Sequence, residues 1–278
     1  MNLHFQPTDD NPYAWDFADN ITGMPTKPYD ELESISLLLR ISYIAETSLG
    51  GTLSFTMLYL VLCKSNSQLK PYSRMLLLCT LTDITYWATD NFIQVKSKLS
   101  DGVFMVKMEG PARYLSYNGQ VVSMSVYVIF LSFIHTILPA QYYYRYYLVT
   151  RSKTLSICQT LVLYTISFMF AFPMGLIAYP AYSISAQERP GFNYGTLWFR
   201  EVPVPPILYA DIRSIYHKSY FIYAIMMVGG GYVFALGFAY KTMVYLRTHK
   251  NVFTSRTKAM HDQLSRALLF QVIIYFGY

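Results

Sequence analysis

One arginine stands within a cluster of tyrosines, in the segment Pro139-Ala-Gln-Tyr-Tyr-Tyr-Arg-Tyr-Tyr-Leu-Val-Thr-Arg151, which follows a long apolar run. Tyrosine rings concentrate at the interface between a membrane and water, and an arginine near a helix end extends its guanidinium toward the water. The segment therefore predicts the end of a membrane helix, with the guanidinium of Arg145 at the membrane surface.

A second candidate is an acid inside another apolar run. Asp83 lies within residues 75–95, and a carboxylate in such a run normally faces the interior of a helix bundle or a water-filled cavity. Two interpretations of Asp83 stay open: an ion- or proton-linked switch, and a polar buttress that is hydrogen-bonded to neighbouring helices. Asp90 lies close to the end of the run and is expected to be solvated.

The remaining reactive residue types form no recognisable site. The three cysteines match no zinc motif, and the five histidines are too scattered for a metal box: His4, His135, His217, His249 and His261. We interpret His135 as a satisfied histidine at the interface, one helical turn before the end of its span. We predict no metal, no cofactor and no enzymatic activity.

The composition favours a membrane protein. Of the 278 residues 53% are hydrophobic and only 14% charged, against roughly a quarter charged in soluble domains. About 20 apolar residues in a helix cross a hydrocarbon core of about 30 Å. Five runs meet this length, at about 41–63, 75–95, 117–139, 155–178 and 219–240. They are connected by a mixed-charge loop at 96–116 and a long loop at 179–218, among others.

A sixth helix is predicted at the end of the chain. From Met260 onward apolar residues recur with helical periodicity, so this helix would begin outside the membrane and enter it near Ala267. Residues 260–278 are expected to form only part of a span. We therefore predict an all-α, multi-pass transmembrane bundle over residues 41–278, with five full spans and a partial sixth, preceded by a polar tail over residues 1–40.

The charges of the connecting segments predict the orientation. The segments after the first, third and fifth runs carry twelve Lys and Arg and one acid, Asp262, whereas the other segments carry ten Lys and Arg and twelve acids. By the positive-inside rule the first group is cytoplasmic and the N-terminus is outside. This orientation accounts for the net charge of +6, so binding of nucleic acid is not needed to explain it. The tail contains a glycosylation sequon at Asn20, which would lie outside.

Three stretches resemble one family of receptors. Tyr144-Arg145-Tyr146 is similar to the aromatic-Arg-Tyr element of nematode serpentine chemoreceptors, and Leu81-Thr82-Asp83-Ile84 resembles their acidic position in helix two. Residues 255–271 are similar to the Arg-Thr-Lys-x-Met-His-x-Gln-Leu signature that enters their sixth helix. On these motifs the chain is identified as a member of the Str superfamily, most like serpentine receptor class delta (Srd). The family continues into a seventh helix, which a chain truncated in helix six would lack.

The resemblance implies a function and a partner. It implies a seven-helix G-protein-coupled receptor that detects small-molecule or peptide cues in the plasma membrane or cilia of sensory neurons, as in olfaction. The partners would be the lipid bilayer, an unknown small-molecule ligand and a heterotrimeric G protein. The implied coupling residues are Arg145, Tyr144, Tyr146, Arg256, Lys258, His261 and Arg266. Three alternatives stay open: simple membrane anchoring by these cations, a transporter or channel subunit, and a truncated receptor that does not signal.

Overall fold

The protein contains five long helices within the part of the chain that the structure describes. This computed structural model describes residues 3–4, 16–17, 33–63, 72–100, 102–151, 153–188, 194 and 207–249. The helices are α1 (Glu33–Cys63), α2 (Ser73–Ile93), α3 (Tyr117–Arg151), α4 (Ile157–Ser183) and α5 (Ile215–Thr248). Each of the five apolar runs coincides largely with one helix, so the predicted all-α class is confirmed. The predicted sixth helix lies outside the described residues.

Three of these helices are long and apolar enough to cross a membrane: α3, α4 and α5. Both α1 and α2 contain several hydroxyl side chains and an internal acid, such as Glu46 and Asp83. For α1 and α2 the spanning role stays a prediction.

Helix α3 is the centre of the bundle. It packs against α2, α4 and α5, and α1 packs against α2. Glycines allow two of these approaches. A Cβ atom at Gly175 of α4 would lie 2.8 Å from the carbonyl oxygen of Ser125 in α3, and one at Gly51 would lie 2.9 Å from the indole of Trp87. Neither position has room for a side chain, so packing through small residues, rather than flexibility, explains both glycines.

Helix α3 also runs further than the sequence predicts. It has 35 residues and continues through Pro139 to Arg151, twelve residues beyond the predicted end. At about 1.5 Å per residue it is about 52 Å long, well above a hydrocarbon thickness of about 30 Å. Tyr142, Tyr144 and Val149 are buried in this extension. Tertiary packing therefore maintains the helix where proline alone would favour a break.

Short strands occur where the sequence predicts loops. Two residue pairs near the N-terminus form β1 (Leu3–His4) and β2 (Asp16–Phe17), which are antiparallel. A hairpin of β3 (Val95–Ser100) and β4 (Val103–Met108) follows α2, and β5 (Leu208–Asp211) pairs antiparallel with β4. The order of this second sheet is β3-β4-β5.

The two predicted loops are therefore partly structured. Residues 96–116 form the hairpin and a short 3₁₀ helix, Pro111–Tyr114. Within 179–218, α4 continues to Ser183 and a second 3₁₀ helix spans Ser185–Glu188. Strand β5 and the start of α5 occupy the other end of this segment. A six-residue strand with interspersed lysines carries too weak a periodic signal to be separated from a mixed-charge loop.

The helices alternate in direction, so the bundle has two different ends. We call the end with Tyr72, Arg151 and Arg247 the basic end, and the end covered by β3, β4 and β5 the sheet end. At the basic end the Arg74 Nη1 donates a hydrogen bond to the Leu155 carbonyl oxygen at 3.3 Å. At the sheet end the Tyr117 hydroxyl donates to the Tyr182 carbonyl oxygen at 3.1 Å. These contacts bring α2 and α3 together with α4 at opposite ends.

Candidate functional site

Arg145 is buried inside α3 near the basic end. Only 4% of its surface is exposed, and it lies six residues before the end of the helix. The expectation of a guanidinium that extends into water at a helix end is therefore wrong. The reason is the extension of α3, which places Arg145 among packed side chains.

The tyrosines around Arg145 include one from another element. Tyr72 directly precedes α2, and the positive charge of Arg145 acts on its hydroxyl. Burial raises the pKa of the Tyr72 hydroxyl to about 12, although the Arg145 guanidinium opposes the rise. Tyr72 is therefore a neutral phenol at physiological pH. The dipole of this neutral hydroxyl partly replaces the water that the guanidinium of Arg145 loses on burial.

Tyr144 connects three helices. Its side chain is 1% exposed and belongs to a cluster that we call the basic-end cluster. The buried members of this cluster come from α2, α3, α4 and the segments before them: Tyr72, Met75, Cys79, Phe133, Ile137, Ala140, Tyr144, Leu155 and Ala171. A displacement of α2 or α4 relative to α3 at this end must therefore disturb Tyr144.

Tyr146 faces the remaining neighbour, α5. The ring centroid of Phe238 lies 6.0 Å from that of Tyr146 and 5.3 Å from that of Tyr143. One turn further along, the Tyr245 hydroxyl donates to the Thr150 carbonyl oxygen at 3.4 Å. Tyr144 and Tyr146 thus contact different helices, and Arg145 lies between them. The structure brings these three predicted residues to a junction of four helices.

The other predicted coupling residues are not placed by the structure. Arg256, Lys258, His261 and Arg266 lie outside the described residues, as does Asn20.

The two acids of α2 differ in their surroundings. Asp83 is exposed, although the charge of its carboxylate acts on the hydroxyl of Tyr164 in α4. Asp90, expected to be solvated, is partly buried, and its Oδ2 accepts a hydrogen bond from the Tyr43 hydroxyl of α1 at 2.9 Å. Three residues earlier, the Trp87 Nε1 donates to the Thr47 carbonyl oxygen at 2.9 Å. Asp90 and Trp87 join α1 to α2, and their spacing of three residues on one helix face is the signal that could have revealed this pairing.

His135 lies in the middle of α3 rather than at its end. Its Nδ1 is 2.8 Å from the Leu131 carbonyl oxygen, and its ring is 6.4 Å from that of Tyr232 in α5. The expected hydrogen-bonded histidine is confirmed, but it does not lie one turn before the end of its helix, because α3 continues past Pro139 to Arg151. Within the described residues no group of His, Cys, Asp and Glu is arranged to hold a metal ion.

At the sheet end an acid that the sequence analysis did not single out ties several segments together. Asp211 is fully buried, and its carboxylate accepts hydrogen bonds from the Tyr194 hydroxyl at 3.1 Å and from the Arg213 backbone N–H at 2.9 Å. The Arg213 Nη1 lies 3.2 Å from the same carboxylate. The Asp211 backbone N–H donates to the Ser185 Oγ at 3.1 Å. Asp211 therefore ties Ser185 and Tyr194, which follow α4, to the segment that precedes α5 at the sheet end.

Comparison with known families agrees with the motifs. Residues 39–277 match the family model described as "Serpentine type 7TM GPCR chemoreceptor Srd". This stretch includes nearly all of α1, the other four helices and the Tyr144-Arg145-Tyr146 junction. No curated protein matches the chain. The family match and the apolar helices together indicate a multi-pass membrane protein. The chain therefore belongs to the Srd family of serpentine seven-helix chemoreceptors.

Proposed function

We propose that the protein is a chemosensory receptor that responds to a small-molecule or peptide cue and activates a heterotrimeric G protein, with Arg145, Tyr144 and Tyr146 as its switch. The observation that carries this proposal is the junction of four helices at Tyr144-Arg145-Tyr146. Family membership supports the chemosensory class and a non-enzymatic role.

The junction suits a two-state mechanism. A ligand shifts the balance between two arrangements only if it binds one of them better. Packed interfaces tend to switch between discrete arrangements rather than deform gradually. Because Tyr144 packs toward α2 and α4 while Tyr146 packs toward α5, a small shift of either group of helices changes the environment of Arg145. Exchange of its buried contacts for contacts with a G protein is then the step that transmits the signal.

The distribution of charge supports a cytoplasmic location of the basic end. Arg74, Arg151 and Arg247 lie at this end, and Lys153 and Lys241 are nearby. Cations close to a membrane surface favour the cytoplasmic leaflet and its anionic lipids. In this orientation the sheet end and the sequon at Asn20 are extracellular, and the protein resides in the plasma membrane of sensory neurons or their cilia.

A test compares two arginines of the same helix. In cells that express the receptor and a G-protein activation reporter, a panel of small organic compounds and short peptides identifies an activating cue. Arg145→Ala is expected to abolish this activation while surface expression is retained. Arg151→Ala is the matched control, because Arg151 is exposed at the end of α3, and it is expected to respond nearly as the wild type. Full activation by Arg145→Ala would refute the switch role.

A transporter or channel is the second candidate, and the carboxylate of Asp83 inside the predicted second span favours it. An acid within a membrane span can mark an ion or proton pathway. Ion flux that persists without any G protein and disappears in Asp83→Asn would support this candidate and contradict the receptor proposal.

A further inference from the structure

A cavity lies between α3, α4 and α5. Its volume is about 470 Å³, and its lining includes Pro139 and Ala140 of α3, Ile166 of α4 and Met227 of α5. Cavities that bind small ligands in proteins measure about 300 to 1,000 Å³. The cavity is therefore large enough for a small ligand, and the polarity of its lining determines which class of ligand it can bind.

The three consecutive glycines of α5 explain why the space is open. Gly230 and Gly231 line the cavity. A Cβ atom at Gly230 would have no neighbouring atom within 4 Å, so a larger side chain there would project into the cavity. A Cβ atom at Gly231 would lie 3.8 Å from Pro139, in ordinary contact. Gly230 thus leaves volume that a leucine would fill.

Three of the four hydroxyl groups in the lining, those of Thr136, Ser167 and Tyr223 but not that of Tyr143, donate hydrogen bonds to the backbone. The Thr136 Oγ1 donates to the Ser167 carbonyl oxygen at 2.9 Å, and the Ser167 Oγ donates to the Leu163 carbonyl oxygen at 3.1 Å. The Tyr223 hydroxyl donates to the Phe170 carbonyl oxygen at 2.8 Å. A polar ligand would lose its hydrogen bonds to water and find three of the four lining hydroxyls committed, which is costly. A hydrocarbon chain has no hydrogen bonds to water, so it loses none when it enters the cavity.

The entrance of the cavity is bounded by apolar side chains that face outward from the bundle. Phe170, Met226 and Phe234 are 59%, 61% and 64% exposed. These residues lie in α4 and α5, two helices that are apolar enough to cross a membrane. In a bilayer their exposed faces contact lipid tails, so an occupant enters from the hydrocarbon region and not from water.

We propose that this cavity binds an acyl chain of a bilayer lipid. One wall of the cavity is Phe238, whose ring packs against Tyr146 and against Tyr143, which also lines the cavity. The bound chain therefore supports the contact of α3 with α5 beside Arg145. The binding itself goes beyond the proposed signalling function and does not depend on it.

Photolabelling tests the proposal. The full chain is reconstituted in nanodiscs of phosphatidylcholine that contain a phosphatidylcholine with a diazirine on one acyl chain, and the labelled residues are identified by mass spectrometry after illumination. We expect label on cavity residues such as Ala140 and Met227. In Gly230→Leu the labelling of Ala140 is expected to fall about fivefold, because the leucine side chain occupies the space of the lipid chain.

Gly229→Leu is the matched control. Gly229 neighbours Gly230, is exposed, and also has no atom within 4 Å of its Cβ position, so this leucine extends into the surrounding lipid. It is expected to retain wild-type labelling. If Gly230→Leu does not fold, Ile166→Trp narrows the entrance from α4 instead and is expected to reduce the label similarly. Wild-type label confined to outward-facing residues such as Ile225 and Val233, or equal labelling of Ala140 in all variants, would overturn the proposal.

Discussion

The most direct test of the architecture is the removal of the Asp211 carboxylate at the sheet end. Asp211→Ala eliminates an acceptor that is fully buried and serves the Tyr194 hydroxyl and both the backbone N–H and the guanidinium of Arg213. These groups belong to the connection between α4 and α5. The substitution should therefore loosen this connection and strand β5 without affecting the helices at the basic end.

The contacts differ in how much their loss costs. The Tyr194 hydroxyl keeps the Ser185 carbonyl oxygen as an acceptor, at 3.2 Å, so its loss is partly compensated. The Arg213 side chain is 51% exposed and becomes hydrated, so its ion pair contributes little. The Arg213 backbone N–H loses its carboxylate acceptor, and the loss of a hydrogen bond to a charged group costs about 1.5–3 kcal/mol. We therefore expect local stability to fall by about 2 kcal/mol in total.

Hydrogen exchange measures this local stability. A loss of about 2 kcal/mol corresponds to roughly a 30-fold faster exchange of amides that open with this region, since about 1.4 kcal/mol is tenfold. Peptides that cover β4 and β5 should show this acceleration, and peptides from α3 near Arg145 should not. Asp211→Asn retains an acceptor oxygen and is expected to show a smaller effect.

Glu109→Ala provides the control for removing an acid near the same sheet. Glu109 is exposed, and its oxygen lies 4.0 Å from the Lys107 Nζ, a pair expected to contribute less than about 1 kcal/mol. Exchange in Asp211→Ala that is no faster than in Glu109→Ala would refute the reasoning, because the buried hydrogen bonds would then contribute nothing to local stability.

Two further predictions concern contacts between helices, and thermal unfolding of the purified chain measures both. Gly175→Ala is expected to destabilise the bundle by about 1–3 kcal/mol, because the new methyl group overlaps with Ser125 of α3. Gly50→Ala in α1 meets no atom within 4 Å and should be neutral or slightly stabilising; equal losses in both variants would contradict the close approach of α3 and α4. Trp87→Phe should cost about 1 kcal/mol through the lost hydrogen bond to Thr47, and an unchanged midpoint would show that this bond does not hold α1 against α2.

The helices could be predicted from the sequence because their apolar length is a local property. Each of the runs at 41–63, 117–139 and 155–178 contains enough consecutive apolar residues to require burial in lipid or protein wherever the chain places it. The motif at Tyr144-Arg145-Tyr146 is equally local, and the family that it suggested is confirmed by the family match.

The end of α3 and the strands could not be predicted in the same way. Pro139 normally ends or kinks a helix, and only the packing of Tyr142 and Tyr144 against other elements makes continuation favourable. Strand β4 becomes stable by pairing with β5, more than 90 residues later in the chain. Such long-range pairing leaves no periodic pattern in a segment of six residues.

The amino-acid sequence by itself determined the class, the helix positions and the family, because apolar length and short motifs do not depend on which helices become neighbours. The tertiary structure alone decided that Arg145 is buried, that Asp90 rather than Asp83 bonds to α1, and that Gly230 opens a cavity. Burial, hydrogen bonding and empty volume are properties of the faces between elements. They exist only once α2, α4 and α5 have packed around α3.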